Sequence, residues 1–317
     1  IDASSPYRAA LQGRYDLVLR ELARQQARQQ VAQCLDQGQC SSASPSTVAV
    51  LPLVYQGGNE RFAPIGRGLA ELISIDLANV AALTVVERVR LQAVLDEIGR
   101  SQTGPFDPNA GPETGQLLGA GQVVNGAFTV QNEQRVTLRA LLSSVDAGSQ
   151  DLESGSAEIN RLFDLQRAIV RQTLEALGIG VSPEMDEQLE KPPTQSFEAF
   201  LAFSRGLDAE DRRAYREAAG HYRRAQQIDP GFRVAAVRAS QASALNQAAA
   251  GVLPTPVLMS SIDMTRLRLS NMPSTGSLDA PGTDRDRPDG EWATVGVVPL
   301  EPLPLPPRPS SGKAGPQ

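Results

Sequence analysis

Few residues in this chain of 317 could do chemistry. Its two cysteines, Cys34 and Cys40, bound the segment CLDQGQC. That spacing could close a small ring over a glycine-containing turn, and in an oxidising compartment such a bond stabilises by about 2 kcal/mol on loop-entropy grounds. Two free thiols or half of a metal site are the alternatives. A four-ligand zinc site needs partners the chain lacks, because its only histidine is His221. The same scarcity removes the material for Cys-His or Ser-His-Asp catalysis. His221, between Gly220 and Tyr222 in a helical segment, reads as a surface or packing residue.

Carboxylates are plentiful, but spacing singles out no pair. Glu87, in Val85-Val86-Glu87-Arg88, is the most suggestive, and its expected work is structural: pairing with Arg88 or Arg90, or capping the next helix. Gly66-Arg67-Gly68 resembles a phosphate-cradling loop only in its two glycines. A third glycine at the right spacing and a Walker lysine are missing, so a helix-entry turn is expected. The net charge of −6 comes with mixed signs along most of the chain, and no basic cluster is interleaved with aromatics. Nucleic-acid binding is therefore not expected, and neither is a cofactor or a metal.

The elements that would carry these residues follow from periodicity. Residues 1–37 read as helix, with Tyr7, Leu11, Tyr15, Val18, Leu19 and Leu22 at helical intervals, Gly13 as a bend, and a polar stretch from Arg24 to Gln33 that reads as solvated helix, with an arm docking on a neighbour as the alternative. Thr47–Val54 reads as the first core strand. An amphipathic helix over 66–81 follows, with Leu69, Leu72, Ile73, Leu77 and Val80 on one face. Leu83–Val86 and Gln122–Val124 read as short buried strands around a helix with Leu91, Val94, Leu95 and Ile98. A shorter helix between them has Pro112 in its first turn, Leu117 and Leu118 buried, and Gly119 as its stop. Ala127–Gln131, Arg135–Asp146 and Leu152–Glu158 read as an antiparallel meander, and Asn160 as the cap of a helix that Gly178 ends. This order implies an α/β fold, a mixed sheet with flanking helices.

Val85-Val86-Glu87-Arg88, the Leu91-x-x-Val94-Leu95-x-Glu97 helix, Ser101-x-Thr103-Gly104, and Gly115-x-Leu117-Leu118-Gly119-Ala120-x-x-Val123-x-x-Gly126 together resemble the curli-secretion-channel family (CsgG-like). They also resemble the amino-terminal domain of TolB and the outer-membrane activators of penicillin-binding proteins. The resemblance runs from Val48-Ala49-Val50-Leu51-Pro52-Leu53 to about Leu177 and concerns the fold more than a task. Channel members of the family insert membrane hairpins where this chain uses Gly126–Asn160 for its meander, so a soluble relative without a pore is expected. The envelope setting that the resemblance implies favours the Cys34–Cys40 bond. The start at Ile1, without Met, fits a processed or incomplete amino terminus. No apolar run approaches the ~18 residues of a transmembrane helix.

Further along, Gly206, Tyr215, Ala218, Tyr222, Ala225 and Pro230 stand at the spacing of a tetratricopeptide repeat, which Ser196–Phe232 resembles. A third helix follows. One such repeat cannot cover both of its faces, so it must lean on a neighbour. The division expected is 1–46 amino-terminal helical arm and linker, 47–180 TolB/CsgG-like α/β domain, 181–194 linker, 195–250 tetratricopeptide-like all-α module, and 251–317 a low-complexity, disordered or extended Pro-rich tail. In that tail Thr294, Val295, Val297, Val298 and Leu300 repeat the pattern of the first core strand and would dock on a sheet edge.

The function these features imply is a non-enzymatic assembly or scaffold protein of the bacterial envelope, periplasmic or outer-membrane-associated through another component. It would bind protein partners and form a homo-oligomer. The alternative is a regulatory module that activates an envelope enzyme. Mass spectrometry of the unreduced protein is expected to find the Cys34–Cys40 peptide lighter by the pair of hydrogens lost on oxidation. Two alkylatable thiols in native material would contradict both the bond and the exported setting.

Overall fold

Short β-branched runs build a sheet covered on both faces where the central strands lie. The computed structural model describes residues 6–38, 40, 42–99, 107 and 109–251, which fall in one compact unit. Strands β1 (Ser44–Val50), β2 (Val54–Tyr55), β3 (Thr84–Val85), β4 (Ala120–Gln131), β5 (Arg135–Ser144) and β6 (Gly148–Glu158) form one mixed sheet in the order β3-β1-β4-β5-β6, with β2 also paired to β4. β3 and β4 run parallel to β1, and β4, β5 and β6 form the antiparallel meander. Val50 stands opposite Val124, and Gly126 opposite Ala140.

Two strand boundaries differ from the periodicity reading. The run Thr47–Val54 is divided, because Pro52 has no N–H to give a ladder. The chain stays anchored across the break: the Leu51 N–H donates to the Val124 carbonyl at 2.8 Å and the Leu53 N–H to the Gly66 carbonyl at 3.2 Å. Conversely, β4 runs unbroken through Gly126, where a Cβ would collide with the Arg139 carbonyl of β5. That glycine permits close strand approach.

The helices among the described residues are α1 (Pro6–Gln37), α2 (Ile65–Ala78), α3 (Arg88–Glu97), α4 (Ala110–Leu118), α5 (Leu162–Ala176), α6 (Pro183–Leu189), α7 (Phe197–Asp211), α8 (Tyr215–Ile228) and α9 (Arg233–Ala249). On one sheet face Val48, Val50, Val124, Phe128, Val136, Leu138 and Leu142 share a core with Leu69, Leu72 and Ile73 of α2, Ile169 and Leu174 of α5, and Phe200 and Phe203 of α7. On the other, Ala49, Leu51 and Val123 pack with Val94 and Leu95 of α3, Leu117 and Leu118 of α4, and Ala27, Val31 and Cys34 of α1. Gly119 closes α4 in the left-handed region at φ 65°. Asn160 is not the cap of α5. It lies in a single 3-10 turn, Ile159–Arg161, and Arg161 holds the cap position without a side-chain hydrogen bond.

Residues 181–194 carry α6, capped by Ser182, with Leu189 buried. Arg171 of α5 holds it through Asp186 at 2.7 Å and Glu190 at 2.6 Å. Beyond it α7, α8 and α9 pack in succession, α7 against α2 and α9 against α1. The three-helix unit therefore leans on two earlier elements of the same chain.

α1 departs most from expectation. It is one helix of 32 residues, uninterrupted at Gly13, where a Cβ would strike the Ala244 backbone of α9. Its large apolar side chains Leu11, Tyr15, Val18, Leu19 and Leu22 are exposed, whereas the polar-looking stretch docks on α3 through Ala27 and Val31. Small residues at spacings of four and three suffice for that docking, because the long glutamine and arginine stems around them can lie along the surface with their heads in water.

Leu95 and Leu174 lie in the two opposite cores. Leu95→Asp and Leu174→Asp are each expected to abolish the cooperative melt, since an unpaired buried charge costs several kcal/mol, comparable with total stability. Circular dichroism melts checks this, and unchanged transitions would contradict the packing.

Candidate functional site

Among the described residues, a dense polar arrangement lies where five helices converge, α1, α2, α3, α7 and α9, with α8 behind them. Arg20 comes from α1, Arg67 and Glu71 from α2, Arg88 from α3, Asp208, Glu210 and Asp211 from α7, Tyr222 from α8 and Arg238 from α9. Helical spacing presents Arg67 and Glu71, at i and i+4, on one side of α2, and the final turn of α7 gathers its three carboxylates. Arg88 is the hub. It pairs with Asp211, lies 2.7 Å from Glu210 and 3.6 Å from Glu71. Arg67 reaches Asp211 at 2.8 Å and Asp208 at 3.2 Å. Arg20 pairs with Glu210, and Arg238 with Glu71, while Arg238 also stands 3.7 Å from Glu210. The Tyr222 hydroxyl donates to Glu210 at 2.6 Å.

Arginines 20, 67, 88 and 238 face Glu71, Asp208, Glu210 and Asp211, so the charges balance. Burial alone would raise the Glu210 carboxyl. The guanidinium groups of Arg88, Arg238 and Arg20 and the Tyr222 hydroxyl overcome it and hold the group at about 2. Burial, with Glu210 adding to it, pushes the Tyr222 hydroxyl well above its ordinary value. Burial opposes the charge on Arg88, but Asp211, Glu210 and Glu71 outweigh it and drive that group upward. Near neutral pH Glu210 is therefore held charged, and Tyr222 and Arg88 are held protonated. The hollows beside the cluster hold about 20 Å³ each, roughly one water. The arrangement is a clamp, and neither of these two hollows has room for more than a water.

The Glu87 side chain is exposed and makes no capping hydrogen bond. The neighbouring Arg88 enters the cluster, and Arg90 donates to the Leu118 carbonyl at 3.0 Å. In Gly66-Arg67-Gly68 each residue serves packing: a Cβ at Gly66 would collide with the Leu53 carbonyl, one at Gly68 with Ser204 and Phe200, and Arg67 joins the clamp. All three lie inside the first turn of α2. His221 is half-buried, 3.6 Å from Glu217. Among the described residues no group of His, Cys, Asp and Glu could hold a metal, and no helix is long and apolar enough to cross a membrane.

Cys34 and Cys40 are disulfide-bonded, with Cα atoms 4.2 Å apart, so the bond ties the end of α1 to the chain entering β1. Gly206 faces the Tyr222 ring with no room for a Cβ. Tyr215, Ala218 and Ala225 are buried, whereas Pro230 is exposed just past α8. Thr294, Val295, Val297, Val298 and Leu300 lie outside the described residues. The clamp went unforeseen from the sequence because its members are spread over more than 200 positions; the only local signal was an arginine inside each of two motifs read for their other residues.

Comparison with known proteins places residues 25–137 against the family described as curli production assembly/transport component CsgG. Among solved structures, the LpoB C-terminal domain from Salmonella enterica is 18% identical, covering 41% of this chain and 93% of that chain, with a TM-score of 0.27. Lipoprotein GNA1162 from Neisseria meningitidis is 16% identical, covering 42% of this chain and 99% of that chain, with a TM-score of 0.27. No curated protein matches the chain.

The clamp gives stability a defined pH dependence. A carboxyl lowered in the folded state contributes stability that is present above its ordinary value and lost as pH falls through the folded one. Stability should therefore decline from about pH 4.5 toward pH 2 as Glu210 protonates. Glu210→Gln strands the facing arginines and is expected to cost about 3–5 kcal/mol at pH 7. It should also flatten the acid decline. Urea unfolding of both proteins at neutral and acidic pH measures this.

Proposed function

From a chain whose residues 25–137 match the family described as curli production assembly/transport component CsgG, we propose a non-enzymatic envelope protein that acts as an assembly scaffold through protein–protein contacts, as a homo-oligomer. One observation carries the reading: the buried clamp joins a three-helix unit to the family-matched segment through ion pairs between helices, Arg67 with Asp211, Arg88 with Glu210 and Arg238 with Glu71. Helical units with small-residue packing, such as Gly206 against Tyr222, offer exposed faces to partners, and tetratricopeptide-like units are used in this way. The Cys34–Cys40 bond favours an oxidising compartment, the periplasm or the periplasmic side of the outer membrane, reached through another component. The tail segment from Thr294 to Leu300 would add a strand to a sheet edge.

Cross-linking of the native protein in envelope fractions, followed by sizing, tests the reading. A scaffold is expected in a multi-subunit assembly containing several copies of the chain. A single copy bound to one enzyme would favour a regulatory module. Recovery outside the envelope, without partners, would contradict both.

A further inference from the structure

α1 carries two seams on opposite sides. The inner one, facing α3 and α9, is lined by Ala10, Gly13, Arg20, Ala27, Val31 and Cys34. The outer one carries Leu11, Tyr15, Val18 and Leu22, with Leu19 beside them, all between 42% and 60% exposed. An ordinary surface helix turns its large apolar side chains toward the body. Here small and charged residues face inward, and the largest apolar side chains face water.

The outer seam has spacings of four, three and four, the alternation that lets one helix receive the knobs of another. The pattern is symmetric about a point between Tyr15 and Val18. We propose that this seam is a self-association face, on which α1 of a second copy lies antiparallel across a two-fold axis. In that register Leu11 meets Leu22 of the second copy, and Tyr15 meets Val18. Arg14 and Glu21 flank the seam on one side, and both are exposed. The two-fold brings each Arg14 beside Glu21 of the other copy, which Arg24 of its own helix also contacts at 3.0 Å, so each Glu21 would accept from two arginines. Toward the carboxy end the same face continues as Gln25 and Gln29, which confines the apolar contact to Leu11–Leu22. The buried area is accordingly small, and the pair should dissociate on dilution.

This inference rests on the self-associating scaffold reading and names the face responsible. The test is sedimentation equilibrium of the intact chain over a concentration series, with melts to confirm folding. The wild type is expected to dimerise reversibly. Leu22→Lys should leave a monomer with an unchanged melt. Arg14→Glu alone and Glu21→Arg alone should each weaken the dimer at least tenfold, because each places like charges together. Mixing those two variants should restore a heterodimer, an outcome that neither a structural defect nor a foreign partner would produce. Association unmoved by all three substitutions would overturn this face and leave the scaffold reading standing. A chain monomeric at every concentration would overturn both the face and the homo-oligomer.

Discussion

The convergence of Arg20, Arg67, Arg88 and Arg238 on Glu71, Asp208, Glu210 and Asp211 is the constraint on which the rest depends. Taking ions out of water costs several kcal/mol each, and mutual attraction repays this only when the set is complete and well aligned. Each pairing crosses from one helix to another. A partly assembled cluster would leave charge buried without a counter-charge, so α1, α2, α3, α7 and α9 favour docking together. Apolar contact alone, as between Phe200 of α7 and Phe163 of α5 at 5.2 Å, would tolerate sliding. The ionic set specifies a register.

That register also decides the orientation of α1. With Arg20 bound to Glu210, and Gly13 against the backbone of α9, the helix is turned so that Leu11, Tyr15, Val18 and Leu22 face outward. The large apolar side chains of its amino-terminal half would favour the opposite rotation, while Ala27, Val31 and Cys34 farther along favour the observed one. Charge pairing, the close approach at Gly13 and that second apolar stripe together fix it.

The clamp also joins the family-matched segment to residues outside it. Arg67, Glu71 and Arg88 lie within residues 25–137, while Arg20, Asp208, Glu210, Asp211 and Arg238 lie beyond either end. The sheet and its first helices are thereby given a rigid extension instead of a tethered one. Such rigidity suits a protein that presents surfaces to others, because a preorganised surface loses less entropy on binding.

Local patterns in the sequence determined the elements. Alternating β-branched residues marked the strands, the three-and-four spacing of Leu69, Leu72, Ile73 and Leu77 marked α2, and Gly119 and Gly178 marked helix ends. These signals are legible because they arise from contacts or dihedral preferences within a few residues. The spacing of Cys34 and Cys40 allowed a small ring but left free thiols or half of a metal site open, and the structure closes the ring. Only the tertiary structure decided that Val85-Val86-Glu87-Arg88 acts through its arginine, that the glycines beside Arg67 serve packing, and which side of α1 faces the core. Those outcomes depend on charges brought together from positions as distant as Arg20 and Arg238, and no local pattern records a balance that exists only once the helices have met.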